Sequence, residues 1–403
     1  MTSQAAAIPQ KRTRPLGLLL ISYAAFIAIA IPDGVLNIAW TYMKDEFNVT
    51  LESLGVLLMV AMIGRLITAF GSGAYIARIG MSAFLAGGIV LMVIGVIGYM
   101  IAQSWIALLI FAAVAAMGAG AVDAGLNTYI SVYYTRGQLN WLHAAFGVGI
   151  TIGPALATFI ITQLAISWRY AYLSALFPIL GVLALFVLTY VRWSMRVPKS
   201  ESETHTAPDA PSLLTSLRLP VVLLSGLLFF AYGGVELGAG QLANTLFVEG
   251  RRATQETAGF WISFYWASFT IGRILMGFVA DRLNVKLLLR VCMIGSVIGA
   301  ALLMINPTPI AGYLGIALMG FSFAPMFATL ISETPARVGE HHTNNTVGIQ
   351  VGVVGLGGAA LPYLAGILAR SMSLEIIGVT LFGGTLLVLA IHEILLRMKK
   401  PEA

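Results

Sequence analysis

Twelve stretches of this sequence are each long and apolar enough to cross a lipid bilayer. In hydrocarbon no water reaches the backbone, so each must close its own hydrogen bonds as a helix. Hydropathy and turn signals place them at 15–43, 51–78, 82–102, 105–134, 139–166, 169–192, 219–247, 257–281, 284–305, 309–334, 343–369 and 374–397. With 59% apolar and only 10% charged residues and a mean hydropathy of +0.90, the chain stands far from soluble domains, in which about 25% of residues are charged. The expected fold is an all-α membrane protein of twelve transmembrane helices.

Between the sixth and seventh stretches the sequence turns polar, rich in Ser, Pro, Thr and charge. The expected division is therefore an N-terminal six-helix bundle (1–193), a cytoplasmic linker (194–215) and a C-terminal six-helix bundle (216–403). The halves resemble each other at an offset of about 202 to 208 residues, the signature of a membrane protein built by duplication. Asp33 answers to Glu236, Gly73 with Arg78 to Gly277 with Arg282, and Met117-Gly118 to Met319-Gly320. Gly147, Gly149 and Pro154 answer to Gly355, Gly357 and Pro362. These glycines suit close helix packing better than ligand binding.

The net charge of +6 forms no basic face, which sets nucleic-acid binding aside. With both termini inside, 16 of the 23 Lys and Arg residues fall on the cytoplasmic side, five fall outside and two lie within spans. The bias predicts a multi-pass protein of the cell inner (plasma) membrane with cytoplasmic termini. Lys11, Arg12 and Arg14 precede a first span too long for a signal sequence, so it is expected to remain uncleaved. The only cysteine, Cys292, reads as a buried inert thiol. No Walker loop, H-E-x-x-H or cysteine cluster points to a metal, a cofactor or an enzymatic reaction.

Charged side chains at mid-bilayer cost about 2.5–3.5 kcal/mol on insertion scales, which marks the few present as functional candidates. Asp33, Asp123 and Glu236 lie near the centres of spans 1, 4 and 7. Arg65 and Arg273 follow Ile-Gly in spans 2 and 8. Asn37 and Trp40 share a helical stripe with Asp33, as Asn127 does with Asp123. Carboxylate, carboxamide and indole on one face make a wall suited to a polyol. Tyr232 and Asn244 form a comparable stripe with Glu236, with Gln241 to one side; Trp261 and Tyr265 repeat the aromatic spacing. Asn140, His143 and Gln350 add polar atoms in spans 5 and 11. The competing structural role for each acid is an ion pair, Arg65 with Asp123 among them.

Gly277-Phe-Val-Ala-Asp281-Arg282, followed by Lys286, fits the G-x-x-x-D-R loop signature of the major facilitator superfamily. The first-half copy keeps Gly73 and Arg78 but has Ala77 where the family has aspartate. Val122-Asp-Ala-Gly-Leu-Asn127, Leu139-Asn-Trp-Leu-His143, Phe229-Phe-Ala-Tyr-Gly-Gly-Val-Glu236 and Phe323-Ala-Pro325 resemble more narrowly the fucose, galactose and glucose proton-symporter group. The resemblance implies the major facilitator fold, two pseudo-symmetric bundles rocking about a central cavity. It also implies proton-coupled symport of a sugar or similar small polar solute. Asp33 would be the principal proton carrier and Asp123 the coupling acid, with Glu236 third. Gly73, Arg78, Gly277, Asp281 and Arg282, with Arg65 and Arg273, would form a conformational latch. His143 stands where the fucose carrier has glutamine, and Asp123 where it has glutamate. The chain is expected to work as a monomer in the bilayer, partnered by solute and protons.

Proton-coupled efflux of drugs or sugars is the alternative. Gly149-x-x-x-Gly153-Pro154 satisfies part of an antiporter signature, but the closing glycine pair is missing and Val114 replaces an expected span-4 arginine.

Overall fold

The computed structural model describes residues 15–134, 136–193, 213–279 and 284–398. Among the described residues every regular element is helical. Twelve main helices coincide one for one with the expected spans, and eleven of these spans are long and apolar enough to cross a bilayer. In the first half they are α1 (Leu16–Glu46), α2 (Ser53–Ile79), α3 (Met81–Ile101), α4 (Trp105–Tyr133), α5 (Arg136–Thr158) and α6 (Leu173–Leu188). In the second they are α7 (Pro220–Thr245), α8 (Gln255–Val279), α9 (Val285–Ile305), α10 (Pro309–Phe323), α11 (Glu340–Ser371) and α12 (Ile376–Arg397). Most of the expected linker, with Asp281, Arg282, Lys11, Arg12 and Arg14, lies outside the described residues.

Local chemistry sets many boundaries. The Ser104 hydroxyl accepts from Ala107 N–H at the start of α4, and Asn284 accepts from Leu287 N–H at the start of α9, satisfying donors that a helix leaves free. Gly80 turns the chain from α2 into α3 at a φ of 84°, a conformation that L side chains avoid. In the tenth span Ala324-Pro325 interrupts the helix, which resumes at Met326–Ser332. Large apolar residues such as Phe70, Ile106, Leu188 and Val291 stand exposed on the periphery. That is the surface of a molecule whose outer solvent is lipid.

The duplication is visible in the packing. α1 lies along α5 and α6 as α7 lies along α11 and α12; α4 lies along α2 and α3 as α10 lies along α8 and α9. Glycines set the closest approaches. A Cβ on Gly34 of α1 would meet the Ile150 carbonyl at 2.7 Å, and one on Gly357 of α11 would meet the Phe230 carbonyl at 1.8 Å. Gly149 and Gly153 of span 5 and Gly357 of span 11 are thus packing surfaces, while Gly147, Gly355 and Gly358 line the cavity between the bundles.

The two bundles meet through α2 against α11 and α5 against α8. Lys44 Nζ donates to Glu249 at 2.6 Å, Arg370 pairs with Glu52 at 3.1 Å, and Gln163 donates its amide to Glu256. All three join the ends carrying the α1–α2, α5–α6, α7–α8 and α11–α12 connections. Deeper, the Thr151 and Thr270 hydroxyls lie 3.3 Å apart. The described polar contacts between the bundles thus gather at, and just below, that one end.

Candidate functional site

A cavity of about 310 Å³ lies between the bundles, within the 300–1,000 Å³ typical of small-ligand sites. It brings together Asp33, Arg65, Glu236, Gln241 and Arg273 from the sequence-derived candidates. Asp33 follows Pro32 at the middle of α1, and Arg65 faces it from α2. Arg65 Nη2 donates to Asp33 Oδ2 at 2.6 Å. The side chains remain 33% and 38% exposed, so the ion pair is accessible from the cavity. The pairing of Arg65 with Asp123 expected as the structural alternative is not the one formed. Asp123 stays in electrostatic range of Arg65, and its carboxylate accepts a 3.1 Å hydrogen bond from Asn127 of the same helix face.

In the second half the related pair is arranged differently. Glu236 of α7 and Arg273 of α8 share an electrostatic field without closing to the 4.0 Å of an ion pair. The Arg273 guanidinium instead rests over the Phe269 ring, 4.3 Å from its centroid. Tyr265 donates its hydroxyl to the Glu236 backbone carbonyl at 2.6 Å, which fixes α8 to α7 at this level. His143 lies within the fields of Asp123 and Arg273 and packs edge-on against Phe26 at 6.0 Å.

Other sequence-derived candidates sit elsewhere. Asn37 and Trp40 are fully buried toward the end where the polar contacts gather, and Trp40 packs against Trp105. Tyr232 donates to the Phe323 carbonyl, and Asn244 accepts from Gln255. Trp261 stacks on Tyr313 at 5.2 Å. Gln350 is buried and accepts from Thr334. Gly73 and Arg78 are exposed near the C-terminal end of α2, and Gly277 lies in the last turns of α8. The side chain of Asn140 lies outside the described residues.

The structure adds lining groups that sequence reading passed over. Trp266 and Phe269 share an i, i+3, i+7 stripe on α8 with the expected Arg273 and line the cavity, where the sequence had pointed to Trp261 and Tyr265. Phe146 and Tyr99 complete the aromatic wall. A tally of aromatic residues one helical turn before each intramembrane arginine would have found Phe269.

Comparison with known proteins agrees with this architecture. The chain is 23% identical over 362 residues to the glucose/mannose transporter GlcP of Bacillus subtilis (strain 168), covering 87% of each chain. It is 25% identical over 371 residues to a cis,cis-muconate transport protein of Acinetobacter baylyi (strain ATCC 33305 / BD413 / ADP1), again covering 87% of each. The solved structure of the nucleoside transporter NupG superposes with a TM-score of 0.77 at 12% identity, over 95% of this chain and 100% of that one. The Major Facilitator Superfamily model matches residues 20–362 and again 242–403, so two bundles, a shared cavity and the sequence itself agree that this transporter belongs to the Major Facilitator Superfamily.

Proposed function

We propose that the chain carries a sugar or similar small polar solute together with protons by alternating access, with Asp33 as principal proton carrier. The observation that supports this most is the partly exposed Asp33–Arg65 ion pair lining the cavity between the bundles. Protonating Asp33 removes its charge and frees Arg65, whose next carboxylate is Asp123. The arginine thereby links proton occupancy on α1 to the position of α4, where Asp123 couples to solute. Glu236 is the third acid of the set. In an inner membrane with cytoplasmic termini, as the Lys and Arg bias predicts, the end at which the polar contacts gather faces outward.

One proton driven by about 100 mV supplies about 2.3 kcal/mol, and one pH unit about 1.36 kcal/mol more. Together they sustain an accumulation of roughly 500-fold. The apolar cavity wall, with Ile29, Met62, Met92 and Phe146, favours the efflux antiporter as second reading.

Purified protein in liposomes on a solid-supported membrane, challenged with hexoses, deoxyhexoses and cationic drugs, separates the two. Symport gives a sodium-independent solute current that Asp33→Asn abolishes, with solute exchange retained. Silence to every sugar with drug-driven proton release establishes the antiporter, and uphill accumulation surviving in Asp33→Asn removes the role given to that residue.

A further inference from the structure

The two halves place an acid and an arginine at corresponding positions, yet only one pair closes. Arg65 is neutralised by Asp33 at 2.6 Å. Arg273 has no carboxylate within 4.0 Å among the described residues and donates no hydrogen bond to protein; its one close partner is the Phe269 ring. A guanidinium offers five donors, and those of the half-buried Arg273 line the cavity without a protein anion bonded to them. Planar donors matched to a carboxylate in a bidentate geometry are what arginine supplies better than any other side chain.

The surroundings of Arg273 narrow the choice. Glu236 and Tyr232 on α7, Tyr265 on α8 and His143 on α5 are the titratable groups whose fields reach it, and the guanidinium sits over the Phe269 ring. Arg273 lines the cavity. Asn37, Asn244 and Gln350 are buried away from the cavity, leaving Gln241, Trp266 and Tyr99 as its neutral polar lining. Gln241 Oε1 and Trp266 Nε1 of the lining are unpartnered and can meet a hydroxyl, but only an anionic group, such as a compact solute's carboxylate, complements the charge of Arg273.

Resting on the transport reading above, we propose that the solute carries a carboxylate and that Arg273 holds it. The anion then enters with protons because the cavity already contains the carboxylates of Asp33 and Glu236, and neutralising them relieves the repulsion that an added anion would meet. The carboxylate could belong to a sugar acid or to an apolar body; the chemistry that Arg273 recognises is the same.

The test uses matched solutes on the intact protein in liposomes: glucuronate against glucose, and benzoate against benzyl alcohol. Proton-coupled current and ligand-induced thermal stabilisation are both recorded. A carboxylate is expected to give the response and its neutral counterpart none, and Arg273→Gln is expected to weaken the carboxylate response about 10- to 100-fold. Arg273→Lys should retain part of it, and neither variant should alter the melting temperature of the ligand-free protein enough to explain the loss. Which of the two carboxylates responds identifies the body of the solute. A glucose current equal to that of glucuronate and unchanged in Arg273→Gln overturns the inference while leaving proton-coupled transport intact. Drug-driven proton release with no response to any of the four solutes overturns both.

Discussion

At the scale of single residues, the Asp33–Arg65 pair behaves as a unit whose members are worse alone than absent together. Asp33→Asn leaves a guanidinium without its anion, and Arg65→Gln leaves a carboxylate without its cation. Replacing both removes the mismatch. Because each side chain is about one third exposed, water compensates part of the loss, and each single change is expected to cost about 1 kcal/mol of stability. The double variant should melt no lower than the worse single variant; melting curves in detergent check this, and additive losses would show that the two groups act independently. The charged members of the site were legible in the sequence because charge inside a hydrophobic run is rare. Their neighbours were less so. Asn37 and Trp40 share the stripe of Asp33, but four and seven residues carry them toward the end where the bundles converge, and burial there removes them from the cavity. On α8 the spacing that links Trp261 to Tyr265 is as regular as that linking Trp266, Phe269 and Arg273. Only the rotation of the helix against α7, fixed by the Tyr265 hydroxyl on the Glu236 carbonyl, decides which stripe faces inward.

Among elements, hydropathy reveals that a helix exists but not which neighbour it touches; glycine placement carries much of that second message. A methyl group on Gly357 would fall 1.8 Å from the Phe230 carbonyl, so Gly357→Ala must push α11 from α7. The expected loss is about 1–3 kcal/mol, the usual range for overpacking. Gly181 on α6 has nothing within 4 Å of a Cβ, and Gly181→Ala should hold or raise stability by up to about 1 kcal/mol through helix propensity. Thermal denaturation of the two variants side by side checks both; equal effects would mean that propensity, not contact, governs these positions. The duplicated register in the sequence anticipated this equivalence of α1–α5 and α7–α11. It did not anticipate the difference between the acid–arginine pairs of the two halves, because side-chain closure depends on sub-ångström helix placement that no spacing encodes.

For the whole molecule, the polar contact between the bundles at one end rests on few bonds. Lys44–Glu249 and Arg370–Glu52 join the bundles there, and Arg370 is 68% exposed. Exposed ion pairs contribute about 0–1 kcal/mol each. Removing both with Lys44→Ala and Arg370→Ala is therefore expected to shift the balance between the two open forms by at most about 30-fold. Labelling of a cysteine at Ala359, which lines the cavity, by a membrane-impermeant maleimide from the side of these contacts reads that shift. The native Cys292 is buried and gives little background. Labelling unchanged in the double variant would assign the joining of the bundles at that end to the apolar helix contacts instead.

One further arrangement separates the halves. Glu46 at the end of α1 grips Arg169, just before α6, at 2.6 Å, and that arginine also caps the Met100 carbonyl at the end of α3. In the second half the polarity is reversed: Arg251, just past α7, grips Glu375 before α12 at 2.6 Å and caps the Leu303 carbonyl near the end of α9. A duplicated chain threading twelve similar helices into a bilayer risks seating a sixth helix in the wrong half. Here the mistake would set Arg169 against Arg251, or Glu375 against Glu46. Like charges would meet where opposite ones belong, so the reversed clamp gives each bundle a closing contact that the other half's helix would not complement.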